Sequence, residues 1–115
     1  MDDLAGLENY SYDYIKNILV NFIGDFHLDI VIKSLYITGS RAKEPKECYS
    51  HYNSDLDVVI EYYGEIKEDT VHNLLNDSDS SLHIEGIKVD FIPIQLDKGR
   101  KFEDFIYNKK SIKLC

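Results

Sequence analysis

The chain has 115 residues and a formal net charge of −8, from 13 basic and 21 acidic side chains. That length fits one domain spanning residues 1–115, and a hydrophobic share of 43% matches a globular rather than a disordered chain. The acidic balance argues against long DNA or RNA, whose phosphates require Lys/Arg neutralisation, and no run approaches the ~18 apolar residues of a membrane span.

The start, Met1-Asp2-Asp3, is acidic rather than signal-like. Cys48 and Cys115 form no zinc-type spacing and read as free thiols. Both features point to a soluble, cytoplasmic protein.

Taken in chain order, the first predicted element is a helix. Ile15, Ile18, Leu19, Phe22, Ile23 and Phe26 recur at three- and four-residue spacing, which makes one apolar stripe. Ser11 is the expected N-cap, Asp13 suits the first turn, and Gly24 loosens the far end. Leu35 to Thr38 reads as a strand running into Gly39. Arg41 to Glu44 suits a helical turn that Pro45 would stop, and 46–54 reads as an exposed loop. Leu56 to Tyr62 is a second strand, rich in β-formers. Asp69 is the expected cap of a short helix reaching Asn76, with Val71, Leu74 and Leu75 on one face. The polar run Asn76 to Ser81 reads as a surface loop. Leu82 to Ile84 and Ile87 to Ile94 are strands joined by a tight turn at Glu85-Gly86. Phe102, Phe105 and Ile106 mark a last short helix. The order implies an α/β (α+β) domain in which a small mixed sheet is backed by helices.

The chemistry is concentrated in three aspartates. Asp55 and Asp57 are two apart in a strand, so strand parity turns both to one side and sends Leu56, Val58 and Ile60 to the core. Adjacent like charges are unfavourable without a cation, and hard carboxylate oxygens suit Mg²⁺ or Mn²⁺. In the later strand Ile87, Val89 and Phe91 share one face and Asp90 takes the other. If the two strands are neighbours, Asp90 joins Asp57. Three carboxylates can hold two metal ions ~3.5–4 Å apart, the arrangement that supports in-line nucleotidyl transfer. Gly39 lets backbone approach a phosphate closely, Ser40 adds a hydroxyl donor, and Arg41, Lys43 and Lys46 form a basic island in an acidic chain. Each piece alone is common. Their order along one chain is what carries weight.

Three segments carry a resemblance: Tyr36-Ile37-Thr38-Gly39-Ser40-Arg41-Ala42, Ser54-Asp55-Leu56-Asp57-Val58-Val59-Ile60 and Lys88-Val89-Asp90-Phe91-Ile92-Pro93. Across residues 34–94 the chain resembles the DNA polymerase beta superfamily, most closely its minimal prokaryotic nucleotidyltransferases. The resemblance implies a polymerase beta-like fold. It implies triphosphate binding at Gly39, Ser40 and Arg41, and two Mg²⁺ ions held by Asp55, Asp57 and Asp90. Asp90 would complete the catalytic metal site and help deprotonate the acceptor. The connection 41–54 is longer than the family usually has, which would reshape the mouth of the pocket.

Larger members of that family carry an extra domain for the acceptor. This chain is too short to add one, so the expected acceptor is a hydroxyl on a partner protein. Minimal members are often encoded beside a HEPN-type toxin, which they adenylylate as antitoxin. The expected reaction is therefore transfer of AMP from ATP to such a partner. The alternative is a non-catalytic module, or a degenerate nucleotidyltransferase, that neutralises a basic partner by covering it. His27, His51, His72 and His83 are scattered without ligand spacing. Tyr10, Tyr12 and Tyr14 suit packing at the rim of the core or a partner surface.

Overall fold

The computed structural model describes residues 7, 10–38, 55–98 and 111–114. Helix α1 (Tyr12–Gly24) begins where the sequence places it. Ser11 is extended and its hydroxyl accepts the Tyr14 N–H at 3.1 Å, which satisfies one of the free donors of the first turn. Ile15, Leu19 and Ile23 are buried, while Ile18, Phe22 and Phe26 pack at the margin. Helix α2 (Glu68–Leu75) corrects the expected cap. Lys67 occupies the cap position with no side-chain bond, and Asp69 lies in the first turn with Glu68. Two acidic groups at the positive end of the helix dipole replace the capping hydrogen bond. Val71 and Leu75 are buried, whereas Leu74 is 39% exposed.

The strands are β1 (Val31–Thr38), β2 (Leu56–Tyr63), β3 (His83–Ile84), β4 (Ile87–Gln95) and β5 (Ser111–Lys113). They form one mixed sheet in the order β3-β4-β2-β1-β5. Among the described strands only the β2/β4 pair is parallel, and α2 and β3 lie in its crossover. Together with the two helices among the described residues, this is the expected α+β class. β3 and β4 meet at the predicted turn, with Glu85 at φ 51° and Gly86 at φ 84°. Positive φ at both central residues is the signature of a type I′ hairpin. β1 begins at Val31, ahead of the predicted Leu35, because its pairing with β2 continues past a register shift between Ile32 and Ser34. β5 was not foreseen; a three-residue strand has no periodicity to read and is defined by its pairing with Tyr36–Thr38. The helical turn at 41–44, the loop at 46–54 and the helix at Phe102–Ile106 lie outside the described residues.

One face of the sheet holds the main core. Leu35, Ile37, Leu56, Val58, Ile60, Tyr62, Val89 and Phe91 are buried with the apolar sides of α1 and α2. Phe22 of α1 stacks on Phe91 of β4, centroids 5.6 Å apart and planes 4° off parallel. The second face carries the alternate residues. Val59 and Ile94 are fully buried there, with Tyr36, Ile92 and Leu96 packed against them. β2 is thus buried on both sides from Val58 to Tyr62, as expected of a central strand with a parallel neighbour.

The outer edge of β4 is closed residue by residue. The Val89 N–H donates to the Leu82 carbonyl at 2.9 Å. The Asn76 side chain brackets Phe91: its Oδ1 accepts the Phe91 N–H at 2.8 Å and its Nδ2 donates to the Phe91 carbonyl at 2.9 Å. Pro93 has no N–H to satisfy. Glu68 of α2 accepts the Gln95 N–H at 2.7 Å. The polar loop after α2 is exposed as expected, but its first residue, Asn76, turns inward to do this work.

Candidate functional site

The site starts from register. Asp57 is the second residue of β2 and pairs with Asp90 of β4 in the parallel ladder. Cross-strand partners project on the same side of a sheet and neighbouring strands lie about 4.8 Å apart, so two carboxylates stand side by side. On the other flank, β1 pairs Thr38 with Asp57. The result is a row, Thr38–Asp57–Asp90, on the face opposite the helices. The next row down, Tyr36–Val59–Ile92, is apolar. An apolar row therefore lies beside the aspartates and separates them from the buried Ser34–Glu61 pair further along the same face.

Burial separates the members. Leu56 and Val58, either side of Asp57, are buried, whereas Asp57 and Asp90 are half-buried. Half-burial leaves a carboxylate within reach of a ligand while limiting its hydration. Asp55 precedes β2 by one residue and is exposed, so strand parity alone does not fix it beside Asp57. Among the described residues, no group of three or more His, Cys, Asp or Glu side chains is gathered as a metal cluster. The structure brings together Asp57 and Asp90, and leaves Asp55 at the rim.

The donor set of that pair fits a hard divalent cation. Carboxylate oxygens are its preferred ligands, and two like charges on neighbouring strands gain most from an ion between them. Gly39, Ser40, Arg41, Lys43 and Lys46 lie outside the described residues. β1 nevertheless ends at Thr38, the register partner of Asp57, and the next residue in the chain is Gly39. Thr38 is a member of the row that the sequence reading overlooked. The signal was present in its position directly before Gly39, but only the β1/β2 register connects it to Asp57.

The remaining candidates are elsewhere. Tyr10 and Tyr14 stack with centroids 5.2 Å apart, and the Tyr14 hydroxyl donates to Glu85 Oε1 at 3.2 Å. Hydrogen bonding to the Glu85 carboxylate holds both phenols above their ordinary pKa. This cluster ties the start of α1 to the β3–β4 turn. Tyr10 and Tyr12 also pack against the core. His27, at φ 54°, and His72 and His83 are exposed, His83 pairs with Lys88 one row from Asp90, and His51 is outside the described residues. No helix among the described residues is long and apolar enough to cross a membrane.

Comparison with known proteins yields no match: no family model, no curated protein and no solved structure matches the chain. The functional reading therefore rests on the residues and their register.

Proposed function

We propose that the protein is a cytoplasmic, magnesium-dependent nucleotidyltransferase with a polymerase beta-like fold. Its proposed reaction moves AMP from ATP to a hydroxyl on a partner protein, as antitoxin to a HEPN-type toxin. The observation that carries this reading is the register pairing of Asp57 with Asp90, beside the strand end that leads into Gly39-Ser40.

In this reading Asp57 and Asp90 hold Mg²⁺ (Mn²⁺ would serve), and Asp55 reaches the site from the rim to complete a two-ion set. Bound ions neutralise triphosphate charge and favour the alkoxide form of the attacking hydroxyl. Gly39 and Ser40 receive the triphosphate through backbone N–H groups and a hydroxyl, and Arg41 adds charge-assisted hydrogen bonds. The acceptor oxygen bonds to the α-phosphorus as the bond to pyrophosphate breaks, and Asp90 takes the acceptor proton. The protein would be incubated with ATP labelled at the α-phosphate, Mg²⁺ and a HEPN-type partner. Label on the partner is the expected result. Clean Mg²⁺–ATP binding with no label transfer would overturn the catalytic reading.

The net charge of −8 favours a second reading, in which the acidic surface covers a basic partner without chemistry. A triple Asp55/Asp57/Asp90→Asn variant separates the two. Full protection against the toxin by that variant supports covering; loss of protection with binding retained supports catalysis.

A further inference from the structure

We propose that Lys88 is a specificity-determining residue of the aspartate site: it disfavours a divalent cation arriving alone and favours the same cation arriving as its triphosphate complex. The inference deepens the metal reading above and rests on it. Its basis is placement. Lys88 and Asp90 lie two apart in β4, so they share the aspartate face, with backbones about 6.6 Å apart. The parallel ladder opens with Leu56 opposite Val89, and the residues just before that pair are Asp55 and Lys88. On the outer flank, His83 of β3 pairs with Lys88. The Val89 N–H donates to the Leu82 carbonyl, so His83 and Lys88 form the intervening non-bonded pair, in which facing Cα atoms approach to about 4.5 Å. Lys88 thus stands among Asp55, Asp90 and His83. Within these two rows it is the only Lys or Arg among the described residues.

Exposure sets the depth of each charge. Asp57 and Asp90 are half-buried, whereas Lys88 is exposed. A cation held by the two carboxylates would lie inside, with the ammonium at the mouth. Lysine is a compact charge on a flexible stem, able to stay in water or to turn onto a phosphate. A divalent ion carries two positive charges, and its complex with a fully ionised triphosphate carries two negative ones. The same ammonium therefore acts on the two with similar size and opposite sign. At about 7 Å in a water-like dielectric with weak screening, each effect is about fivefold in affinity. In a chain of net charge −8 the acidic surface also repels free triphosphate, and a cation at the mouth offsets that repulsion locally. A lysine that merely solvates the hairpin would influence neither ligand.

The test reads binding rather than turnover, at low salt. Free Mn²⁺ is followed by the loss of its paramagnetic resonance signal. The Mn²⁺ complex of α,β-methylene ATP, whose bridging carbon blocks transfer, is followed by calorimetry. Wild type, Lys88→Met, Lys88→Arg and Asp90→Asn are compared, with thermal melts confirming that each is folded. Methionine keeps most of the stem without the charge, and arginine keeps the charge. K88M should bind free Mn²⁺ about fivefold more tightly and the Mn²⁺–analogue complex about fivefold more weakly, with K88R near wild type and both shifts fading as NaCl is added. Unchanged affinities in K88M alongside weakened Mn²⁺ binding in D90N would overturn the role of Lys88 and leave the metal pair standing. Shifts of the same sign for both ligands in K88M would overturn it as well, because a single charge cannot produce them. No Mn²⁺ binding by wild type, alone or with the analogue, would remove the metal reading and this inference with it.

Discussion

Replacing Asp90 with Asn should make the metal-free protein more stable and the magnesium-bound protein comparatively less so. Asp57 and Asp90 are register partners on parallel neighbours, and both are half-buried. Two carboxylates about 5 Å apart repel by about 0.8 kcal/mol at the dielectric of water and by about 3 kcal/mol at an effective value of 20. Partial exposure places this pair near the lower figure, so D90N should gain about 1 kcal/mol without metal. For a domain of this size that is a rise of about 4–6 °C in Tm. Magnesium at ten times its Kd would stabilise wild type by about 1.4 kcal/mol, and should give D90N much less. The two melting curves therefore exchange order between EDTA and Mg²⁺. Circular dichroism melts at low salt provide the measurement. A NaCl control of matched ionic strength removes the contribution of screening. Equal Mg²⁺ shifts in both proteins, with no gain for D90N in EDTA, would show that the two carboxylates do not share a field. The metal assignment would then lose its physical basis.

Other consequences follow from the supporting structure. Asn76→Ala removes both bonds to the Phe91 backbone, each worth about 1 kcal/mol, so urea unfolding should show a loss of about 2 kcal/mol. The buried Tyr62 hydroxyl donates to the Ile66 carbonyl at 2.6 Å, and burial, followed by the charges of Glu68 and Asp97, pushes its pKa up to about 12. A folded pKa above the ordinary 10.0 means that this stabilisation is intact below pH 10 and is lost as pH rises through about 12. Tyr62→Phe should lower the denaturant midpoint at neutral pH by the equivalent of about 1 kcal/mol and flatten that alkaline loss. Gly64→Ala should cost more than Gly86→Ala in the same unfolding assay. Both glycines have positive φ, but a Cβ at Gly64 would meet the Asp29 carbonyl oxygen at 2.9 Å, whereas one at Gly86 meets nothing within 4 Å. About 1 kcal/mol is expected for Gly86→Ala, from the backbone alone.

Local signals in the sequence were strong where one residue decides one geometry. Ser11 caps α1 because its hydroxyl reaches the Tyr14 N–H three residues on, which is a matter of spacing. Glu85-Gly86 turns because glycine tolerates positive φ. Alternation along Leu56–Ile60 and Val89–Phe91 separates core from aspartate without any knowledge of the neighbours. Pairing is different. The early start of β1 and the existence of β5 each depend on groups distant in the chain. A three-residue strand such as Ser111–Lys113 has no pattern of its own to read. The site divides in the same way: the face of Asp57 and of Asp90 was legible, but their pairing and the place of Thr38 needed register. Asp55 shows the limit of parity, since the i, i+2 rule holds only inside a strand and β2 begins one residue later.

The closure of the β4 edge explains how such a small sheet can hold two carboxylates in register. A parallel pair lacks a tight hairpin to fix its alignment, so β2/β4 register must be set from outside the pair. Val89 and Phe91, the two residues flanking Asp90, are the ones anchored on the outer edge, by Leu82 and by Asn76. Gln95 is anchored by Glu68, and Pro93 between them leaves no donor to pair elsewhere. On the inner side Phe91 is stacked under Phe22 of α1. A slip of β4 by one residue would break these bonds together and turn Asp90 into the apolar face. The energy that keeps Asp90 beside Asp57 thus comes from neighbours of Asp90 rather than from the repelling pair itself. A pair carrying its own repulsion has to be held this way, by backbone anchors on rigid elements.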